Sequence, residues 1–261
     1  MGKVWFVGAG PGAPDLITVR GARLLAEAGA ILYTGSLVAE TVLQWATPEC
    51  EIADSKTMAL AEVTAWLLDR AQRHAVVVRL QTGDPTLYGV VAELARPLDA
   101  AGIPVGIVSG VSSAMASAAA AGECLTLPEL TQTVIFTRLS ERTAMPESES
   151  FASLAAHGCT LCIFLSIERI DAVVTQLIAA GWAETAPIVI VHKATWPDEV
   201  VLRGTLNDIV AQCRAAQIDR QALILVSPAL GARFRASNTT SKLYDAAFPR
   251  RFRPAQPTSE D

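Results

Sequence analysis

The stretch Val4-Trp5-Phe6-Val7-Gly8-Ala9-Gly10-Pro11-Gly12 runs from four apolar residues straight into a glycine-rich turn. Two later stretches repeat this arrangement: residues 76–80 lead into Gln81-Thr82-Gly83-Asp84-Pro85, and residues 105–108 lead into Ser109-Gly110-Val111-Ser112-Ser113. A short apolar run that ends in a turn is typical of a buried strand. Loops at the carboxyl ends of parallel strands bind ligands, and glycine there lets a ligand approach the backbone. The three loops therefore predict a ligand-binding edge of a sheet.

Strand and helix patterns alternate through the first half of the chain, with turn residues between them. The predicted strands are 3–8, 30–34, 49–53, 75–80 and 104–108, and the predicted helices are 18–28, 38–46, 59–73, 89–101 and 112–121. This alternation indicates parallel βαβ units with helices on both faces of the sheet. The segment Leu125-Thr126-Leu127-Pro128-Glu129 then marks a crossing between domains.

The second half has a different rhythm. The predicted strands are 133–137, 159–165, 187–192, 199–202 and 221–227, and the predicted helices are 167–180 and 205–216. The strands near 190 and 200 are separated only by Ala194-Thr195-Trp196-Pro197-Asp198, which suggests an antiparallel pair and therefore a mixed sheet. We predict an α/β protein of two α/β domains, 1–128 with a mainly parallel sheet and 129–231 with a mixed sheet, followed by a loosely structured tail, 232–261.

Composition limits the partners and the compartment. The 261 residues are 51% hydrophobic and carry a formal net charge of −5, which gives no global argument for nucleic acid or a membrane surface. We find neither a secretory leader pattern nor an apolar run of membrane-spanning length, and so expect a cytoplasmic protein. Five cysteines without such a leader indicate reduced thiols. The lone pair Cys159 and Cys162 has no partner pair at metal-site spacing, so we expect no metal.

The first loop alone also fits a nicotinamide-binding protein. Gly8, Gly10 and Ala13 satisfy the dinucleotide pattern loosely. However, Pro14-Asp15 separates the glycines from the next helix, and the second predicted strand ends in Thr34-Gly35-Ser36 rather than in an acid for the ribose. These two features count against a nicotinamide site. A nicotinamide-dependent oxidoreductase is kept as the alternative from a different functional class.

Taken in order, the three loops resemble the tetrapyrrole methylases, also called class III methyltransferases. The first loop of that family continues as it does here in Gly8-Ala9-Gly10-Pro11-Gly12-Ala13-Pro14-Asp15-Leu16-Ile17-Thr18, and Gly83-Asp84-Pro85 and Ser109-Gly110-Val111-Ser112-Ser113 match its other two motifs. The resemblance extends from Lys3 to about Leu230. It implies an enzyme that binds S-adenosylmethionine between its two domains and releases S-adenosylhomocysteine.

Two further segments resemble the branch of this family that methylates precorrin-4, a ring of cobalamin synthesis, at C11. They are Tyr33-Thr34-Gly35-Ser36-Leu37-Val38 and residues 137–147, Thr-Arg-Leu-Ser-Glu-Arg-Thr-Ala-Met-Pro-Glu. Methylases of another ring carbon, and of a modified protein histidine as in diphthine synthesis, are the alternatives within the family. The sequence leaves open whether the ring already carries cobalt.

The resemblance also assigns site residues. For the cofactor it implies Pro11, Thr82, Gly83, Asp84, Leu87, Ser112 and Ser113 from the first domain, with Ser166 and Ala194 from the second. A tetrapyrrole carries several carboxylates, which suit arginine best. We therefore expect Arg138, Arg142 and Lys56 to bind the substrate, and Lys56 and Arg142 are also the candidates for a catalytic role. The family resemblance implies a homodimer.

Overall fold

The protein is described by a computed structural model that covers residues 2–140, 143–234, 241, 248–249 and 251. The chain folds into two compact units. The first comprises the described residues up to Ala120 together with Val191–Val201 and Arg220–Leu223. The second comprises Ala121–Ile190, Leu202–Asp219 and the described residues from Ile224 onward.

Strands and helices alternate through residues 2–120, as the sequence predicts. In chain order they are β1 (Lys3–Gly8), α1 (Val19–Glu27), β2 (Ala30–Tyr33), β3 (Glu51–Asp54), α2 (Leu60–Arg73), β4 (Val76–Gln81), α3 (Val91–Ala100), β5 (Val105–Val108) and α4 (Ser113–Ala120). The prediction of a helix over 38–46 is wrong in its helix type: the segment contains a 3-10 helix, Glu40–Trp45, and no α-helix.

The five strands form one sheet in the order β3-β2-β4-β1-β5. Each neighbouring pair is parallel; for example, Lys3 lies opposite Val76, and Val4 lies opposite Val105. The prediction of a parallel sheet is confirmed. Because all five strands run the same way, the loops that follow them lie along a single edge of the sheet.

Both faces of this sheet are buried, which explains why its strands read as apolar runs. One face packs Val7, Ile31 and Val78 against Leu25 of α1. The other packs Phe6, Leu32 and Val77 against Leu67 of α2 and against Leu94 and Leu98 of α3. Thr18 caps the N-terminus of α1, since its hydroxyl accepts a hydrogen bond from the Gly21 N–H at 3.1 Å.

The remaining elements form the second sheet and its helices. They are β6 (Val134–Arg138), α5 (Phe151–Ala155), β7 (Thr160–Phe164), α6 (Ile170–Ala179), β8 (Pro187–His192), β9 (Val200–Thr205), α7 (Ile209–Ala215) and β10 (Ala222–Val226). The sheet order is β6-β7-β10-β8-β9. Strand β7 is parallel to β6 and antiparallel to β10, so the prediction of a mixed sheet is confirmed. Strands β8 and β9 are neighbours, as expected.

Two predictions in this half are wrong in detail. Helix α5 has no counterpart among the predicted helices; it begins where the Ser150 hydroxyl accepts a hydrogen bond from the Ser153 N–H at 3.3 Å. The predicted helix 205–216 begins only at Ile209, because the Asp208 carboxylate accepts from the Thr205 N–H at 2.7 Å and holds a turn there. Most of the predicted tail, 232–261, lies outside the described residues.

The described helices include none with the length and apolar content needed to cross a lipid bilayer.

Candidate active site

The three predicted glycine loops meet at the carboxyl edge of the first sheet. Strand β1 lies between β4 and β5, so the loops that follow these three strands are neighbours. The Gly83 N–H donates to the Gly10 carbonyl at 2.8 Å, and the Ala9 N–H donates to the Gln81 carbonyl at 2.7 Å. The β1 loop and the β4 loop are therefore joined backbone to backbone.

Glycine is required here because the backbones approach too closely for side chains. A Cβ on Gly8 would lie 2.6 Å from both the Gly110 Cα and the Gly83 carbonyl oxygen. A Cβ on Gly110 would lie 2.8 Å from the Gly8 Cα and closer still to that same oxygen. Gly8 and Gly110 therefore lie where a Cβ would clash, and Gly83 has a φ of +60°, which favours glycine; we call these three residues the glycine triad.

Asp84 ties the second loop to the third. One carboxylate oxygen accepts from the Gly110 N–H at 3.0 Å, and the other accepts from the Thr86 N–H at 2.8 Å and the Thr86 hydroxyl at 2.6 Å. Burial opposes ionisation of this carboxyl, but these hydrogen bonds outweigh it and hold the pKa of Asp84 below its usual value. The turn is therefore fixed by a charged carboxylate.

A segment distant in sequence covers the first loop. The Trp196 indole N–H donates to the Pro11 carbonyl at 2.8 Å, and the Thr195 hydroxyl accepts from the Ala13 N–H at 2.9 Å. A Cβ on Gly12 would press into the Trp196 ring. Ala194, one of the predicted cofactor residues, is 6% exposed and belongs to this same segment. Thr195 and Trp196 were not predicted as site residues, because their only signal in the sequence was their place in a short turn.

The other predicted cofactor residues of this unit lie on the three loops. Pro11 and Gly83 are buried, Thr82 is exposed, and Asp84, Leu87, Ser112 and Ser113 are partly exposed. A Cβ built on Gly83 would lie 3.7 Å from the Ser112 Cα and from the Ser113 nitrogen. The structure therefore brings the β4 loop against the start of α4. It does so without any side chain between them.

A polar cluster lies at the ends of β2, β3 and β4, beside the glycine triad in the sheet. Arg79 is only 6% exposed, and its guanidinium donates to the Ser55 hydroxyl at 2.9 Å and to the Thr34 hydroxyl at 3.0 Å. Burial lowers the pKa of Arg79 to about 10, although the charge of Asp54 opposes this shift. Arg79 was missed because it stands inside the apolar run 76–80.

Lys56, the predicted substrate and catalytic candidate, lies at the rim of this cluster. Its side chain is 62% exposed, and its ammonium lies 3.3 Å from the Asp54 carboxylate. Asp54 also accepts from the Gly35 and Lys56 N–H groups, each at 2.9 Å. Burial raises the pKa of Asp54, but these bonds and the ammonium outweigh it, and the net pKa is lowered. Lys56 is therefore a solvent-accessible cation on an ionised partner.

In the second unit, Ser166 and Arg138 organise the loop that follows β6. Ser166 is fully buried; its hydroxyl donates to the Phe164 carbonyl at 2.7 Å and accepts from the Leu139 N–H at 2.8 Å. The Arg138 guanidinium donates to the carbonyls of Leu139, Thr143 and Ala144 at 3.0–3.3 Å. Both side chains thus hold the loop in place. The remaining predicted residue, Arg142, lies outside the described residues.

Comparison with known proteins decides the family. Residues 3–210 match the model of the Tetrapyrrole (Corrin/Porphyrin) Methylases, which is most of the chain. The chain belongs to this family. The nicotinamide-dependent alternative is therefore wrong, and the two sheets described above are the two sheets of a tetrapyrrole methylase.

Relatives and solved structures of the family show what this methylase is similar to. It is 44% identical to the cobalt-precorrin-4 C(11)-methyltransferase of Priestia megaterium, over 96% of this chain and 97% of that one. It is 41% identical to the precorrin-4 C(11)-methyltransferase of Pseudomonas aeruginosa, over 97% of this chain and 99% of that one.

Among solved structures, the match to a cobalamin biosynthetic enzyme, cobalt precorrin-4 methyltransferase, has a TM-score of 0.85 and 45% identity, covering 87% of this chain and 95% of that one. A second match is a uroporphyrin-III C-methyl transferase from Thermus thermophilus, solved in complex with S-adenyl homocysteine. It has a TM-score of 0.73 and 30% identity, and the match covers 88% of this chain and 100% of that one.

Proposed function

We propose that this tetrapyrrole methylase transfers a methyl group from S-adenosylmethionine to C11 of precorrin-4, or of cobalt-precorrin-4, in cobalamin biosynthesis. The observation that carries the proposal is the difference in similarity between two kinds of relative. The two precorrin-4 C11-methyltransferases named above are 44% and 41% identical over nearly the whole chain, whereas a uroporphyrinogen-III C-methyltransferase of Synechocystis is 34% identical over 87% of it. The alternative of methylation at another ring carbon has the weaker support.

The edge of the first sheet fits the cofactor. The glycine triad places no side chains at this edge, so that a ligand with a charged amino-acid end and a ribose can approach the backbone of the loops. The exposed Thr82 and the partly exposed Ser112 add hydroxyls beside these groups, and Pro11 and Leu87 add apolar contact. When bound, S-adenosylmethionine supplies an electrophilic methyl group.

The contribution of the chain itself is to hold the donor and acceptor in line. Fixed loops suit this task, because positioning of reactants can contribute roughly 7–11 kcal/mol to a reaction. The Asp84 carboxylate ties the second loop to the third, and the segment of Thr195 and Trp196 holds the first. We propose that Lys56 and Arg142 bind the ring carboxylates and are the catalytic candidates, and that Arg138 contributes to substrate binding through the loop that it holds.

The direct test is methyl transfer with a labelled donor. Purified protein is incubated with methyl-labelled S-adenosylmethionine and precorrin-4 or cobalt-precorrin-4, and NMR locates the label on the ring. We expect it at C11. As a matched control, the same reaction is run with uroporphyrinogen III. Label at another carbon, or transfer to uroporphyrinogen III and not to precorrin-4, would overturn the proposal.

The proposal includes a homodimer in the cytoplasm, as the family resemblance and the composition lead us to expect. Light scattering should give a mass twice that of one chain, and fractionation of the cells should recover the protein with the cytosol. A monomer at micromolar concentration, or recovery with membranes, would contradict these two parts alone.

A further inference from the structure

Arg79 is a buried cation in the middle of a parallel sheet. It lies on β4, between β1 and β2, and shares the face of Val77, which packs on α2 and α3. Its Nη1 donates to the Ser55 hydroxyl and, at 3.3 Å, to the Leu32 carbonyl; its Nη2 donates to the Thr34 hydroxyl. The Nε–H is buried and has no acceptor among the described residues. The guanidinium therefore has only neutral hydrogen-bond partners in the described chain.

The nearby carboxylate does not complete this cluster. Asp54 acts on Arg79 through its charge, but its oxygens bond the Gly35 N–H, the Lys56 N–H and the Lys56 ammonium. A buried charge without a hydrogen-bonded counterion carries a large desolvation cost. The cluster therefore carries surplus positive charge where the three strands end.

The Thr34 hydroxyl can donate a hydrogen bond to a ligand while it accepts one from Arg79. The Thr34 oxygen accepts a hydrogen bond from Arg79, so the hydroxyl hydrogen can be donated to a further acceptor. No described residue accepts it. Ser55 differs, since its hydroxyl hydrogen is already given to the Tyr33 carbonyl at 3.0 Å. Thr34 is partly exposed, whereas Ser55 is 7% exposed. Of the two hydroxyls on Arg79, only that of Thr34 can reach a ligand.

The position of Thr34 suits a ligand that also reaches the glycine triad. Thr34 follows β2, and β2 is separated from β1 by the single strand β4. Neighbouring strands lie about 4.8 Å apart, so Thr34 is displaced along the sheet edge by about 10 Å from the first glycine loop. Both belong to the same compact unit.

We propose that Thr34, held and polarised by Arg79, donates a hydrogen bond to a carboxylate of the ligand bound at this edge. Arg79 is then a positioning residue, and Thr34 makes the contact. The carboxylate is either an acetate or propionate side chain of the tetrapyrrole or the amino-acid end of the cofactor. The naming of these two sources rests on the proposed function; the donor geometry does not.

Binding measurements test this without turnover. The probes are uroporphyrin III, a stable ring with eight carboxylates followed by fluorescence quenching, and S-adenosylhomocysteine followed by calorimetry. The variant Thr34→Val keeps the shape and removes the donor, Thr34→Ser keeps the donor, and Thr64→Val is a matched change on the exposed face of α2. We expect Thr34→Val to weaken one probe about tenfold, and the two control variants to stay within twofold of the parent protein.

The probe that weakens identifies the source of the carboxylate. Loss with uroporphyrin III alone assigns a ring side chain, and loss with S-adenosylhomocysteine alone assigns the cofactor. The melting temperature of Thr34→Val should fall by a few degrees, because an Arg79 N–H loses its acceptor, whereas Thr34→Ser should keep the parent value. Unaltered affinity for both probes, equal loss of both, or no binding of either probe by the parent protein would overturn the proposal. Failure of C11 methylation with intact probe binding would instead overturn the proposed function.

A double-mutant cycle tests the role of Arg79. If Arg79 acts through Thr34, then Thr34→Val introduced into Arg79→Lys should cost less than twofold in affinity, compared with about tenfold in the parent protein. Additive losses would mean that Arg79 only stabilises the sheet. Should Arg79→Lys fail to fold, the same cycle is run with Ser55→Ala, which removes one Arg79 acceptor and leaves the Thr34 contact in place.

Discussion

The loops of the first sheet and the loop after β6 are held by different means. In the first sheet, Gly8, Gly83 and Gly110 pack backbone against backbone, and a Cβ at Gly8 or Gly110 would collide. After β6, one guanidinium, that of Arg138, bonds the carbonyls of Leu139, Thr143 and Ala144, and the Ser166 hydroxyl holds the Leu139 N–H. The first arrangement permits almost no change of sequence. The second arrangement depends on the side chains of Arg138 and Ser166, and it places no comparable restriction on the other residues of the loop after β6.

This difference suits a division of labour between the two regions. A methyl donor is common to all members of a methylase family, whereas the ring to be methylated differs among them. Loops fixed by glycine packing fit the common ligand, and a loop anchored by side chains fits the variable one. The following predictions test this division.

The largest effect is expected for Gly110→Ala. The added methyl would lie 2.8 Å from the Gly8 Cα and closer to the Gly83 oxygen, so the three loops must separate. Such overpacking costs about 1–3 kcal/mol, and we expect affinity for S-adenosylhomocysteine to fall about 100-fold by calorimetry. The control is Gly102→Ala, where no atom lies within 4 Å but φ is +70°, so this variant should lose some stability and keep its affinity for S-adenosylhomocysteine. Equal binding by both variants would refute the argument from packing.

A smaller and more selective effect is expected for Arg138→Met. The change removes the N–H groups that hold the carbonyls of residues 139, 143 and 144. We expect the KM for the tetrapyrrole to rise about tenfold while affinity for S-adenosylhomocysteine stays within twofold, since the loop and not the glycine triad is disturbed. Arg214→Met, at an exposed arginine of the same unit, is the control. A parallel loss of cofactor affinity would contradict the proposed division.

The smallest effect is expected for Asp84→Asn, and it depends on pH. The pKa of Asp84 is lowered in the folded protein, so its stabilisation is present above the unfolded pKa of about 4 and is lost as pH falls through the lower folded value. At pH 7 the amide should cost about 1 kcal/mol of unfolding free energy, and this difference should shrink below about pH 4. Urea unfolding at pH 7, 5 and 3 measures it, with Asp99→Asn as the control. A difference that stays constant with pH would show that the charge of Asp84 does not stabilise the turn.

Local signals were enough to predict the strands of the first sheet and the three loops. Apolar runs such as residues 76–80 identify buried strands, and glycine with Asp-Pro identifies the turn at residues 83–85. The contact of Gly8 with Gly110 was not predictable in detail, because it depends on β1 and β5 being neighbours. Sequence spacing carries no information on that pairing.

The side chains that complete the site could not be predicted for two different reasons. Trp196 is more than 180 positions from Pro11 in sequence, and its contact arises only from the tertiary fold. Arg79 lies inside the apolar run 76–80, at a position where the strand pattern predicts a buried apolar side chain. The run was therefore interpreted as core, and Arg79 was not considered as a site residue. Ser166 was expected from family position, yet only the structure shows that its hydroxyl is bonded on both sides within its own unit.

The glycine triad also restricts how its own defects can be repaired. When a side chain crowds a core, a second substitution to a smaller residue elsewhere can restore room. At Gly8 and Gly110 the crowded atoms belong to the main chain of other glycines, which have nothing left to remove. Suppressors of Gly110→Ala should therefore arise at residues that let a whole loop move, such as the Trp196 and Thr195 attachments, rather than at the contact itself.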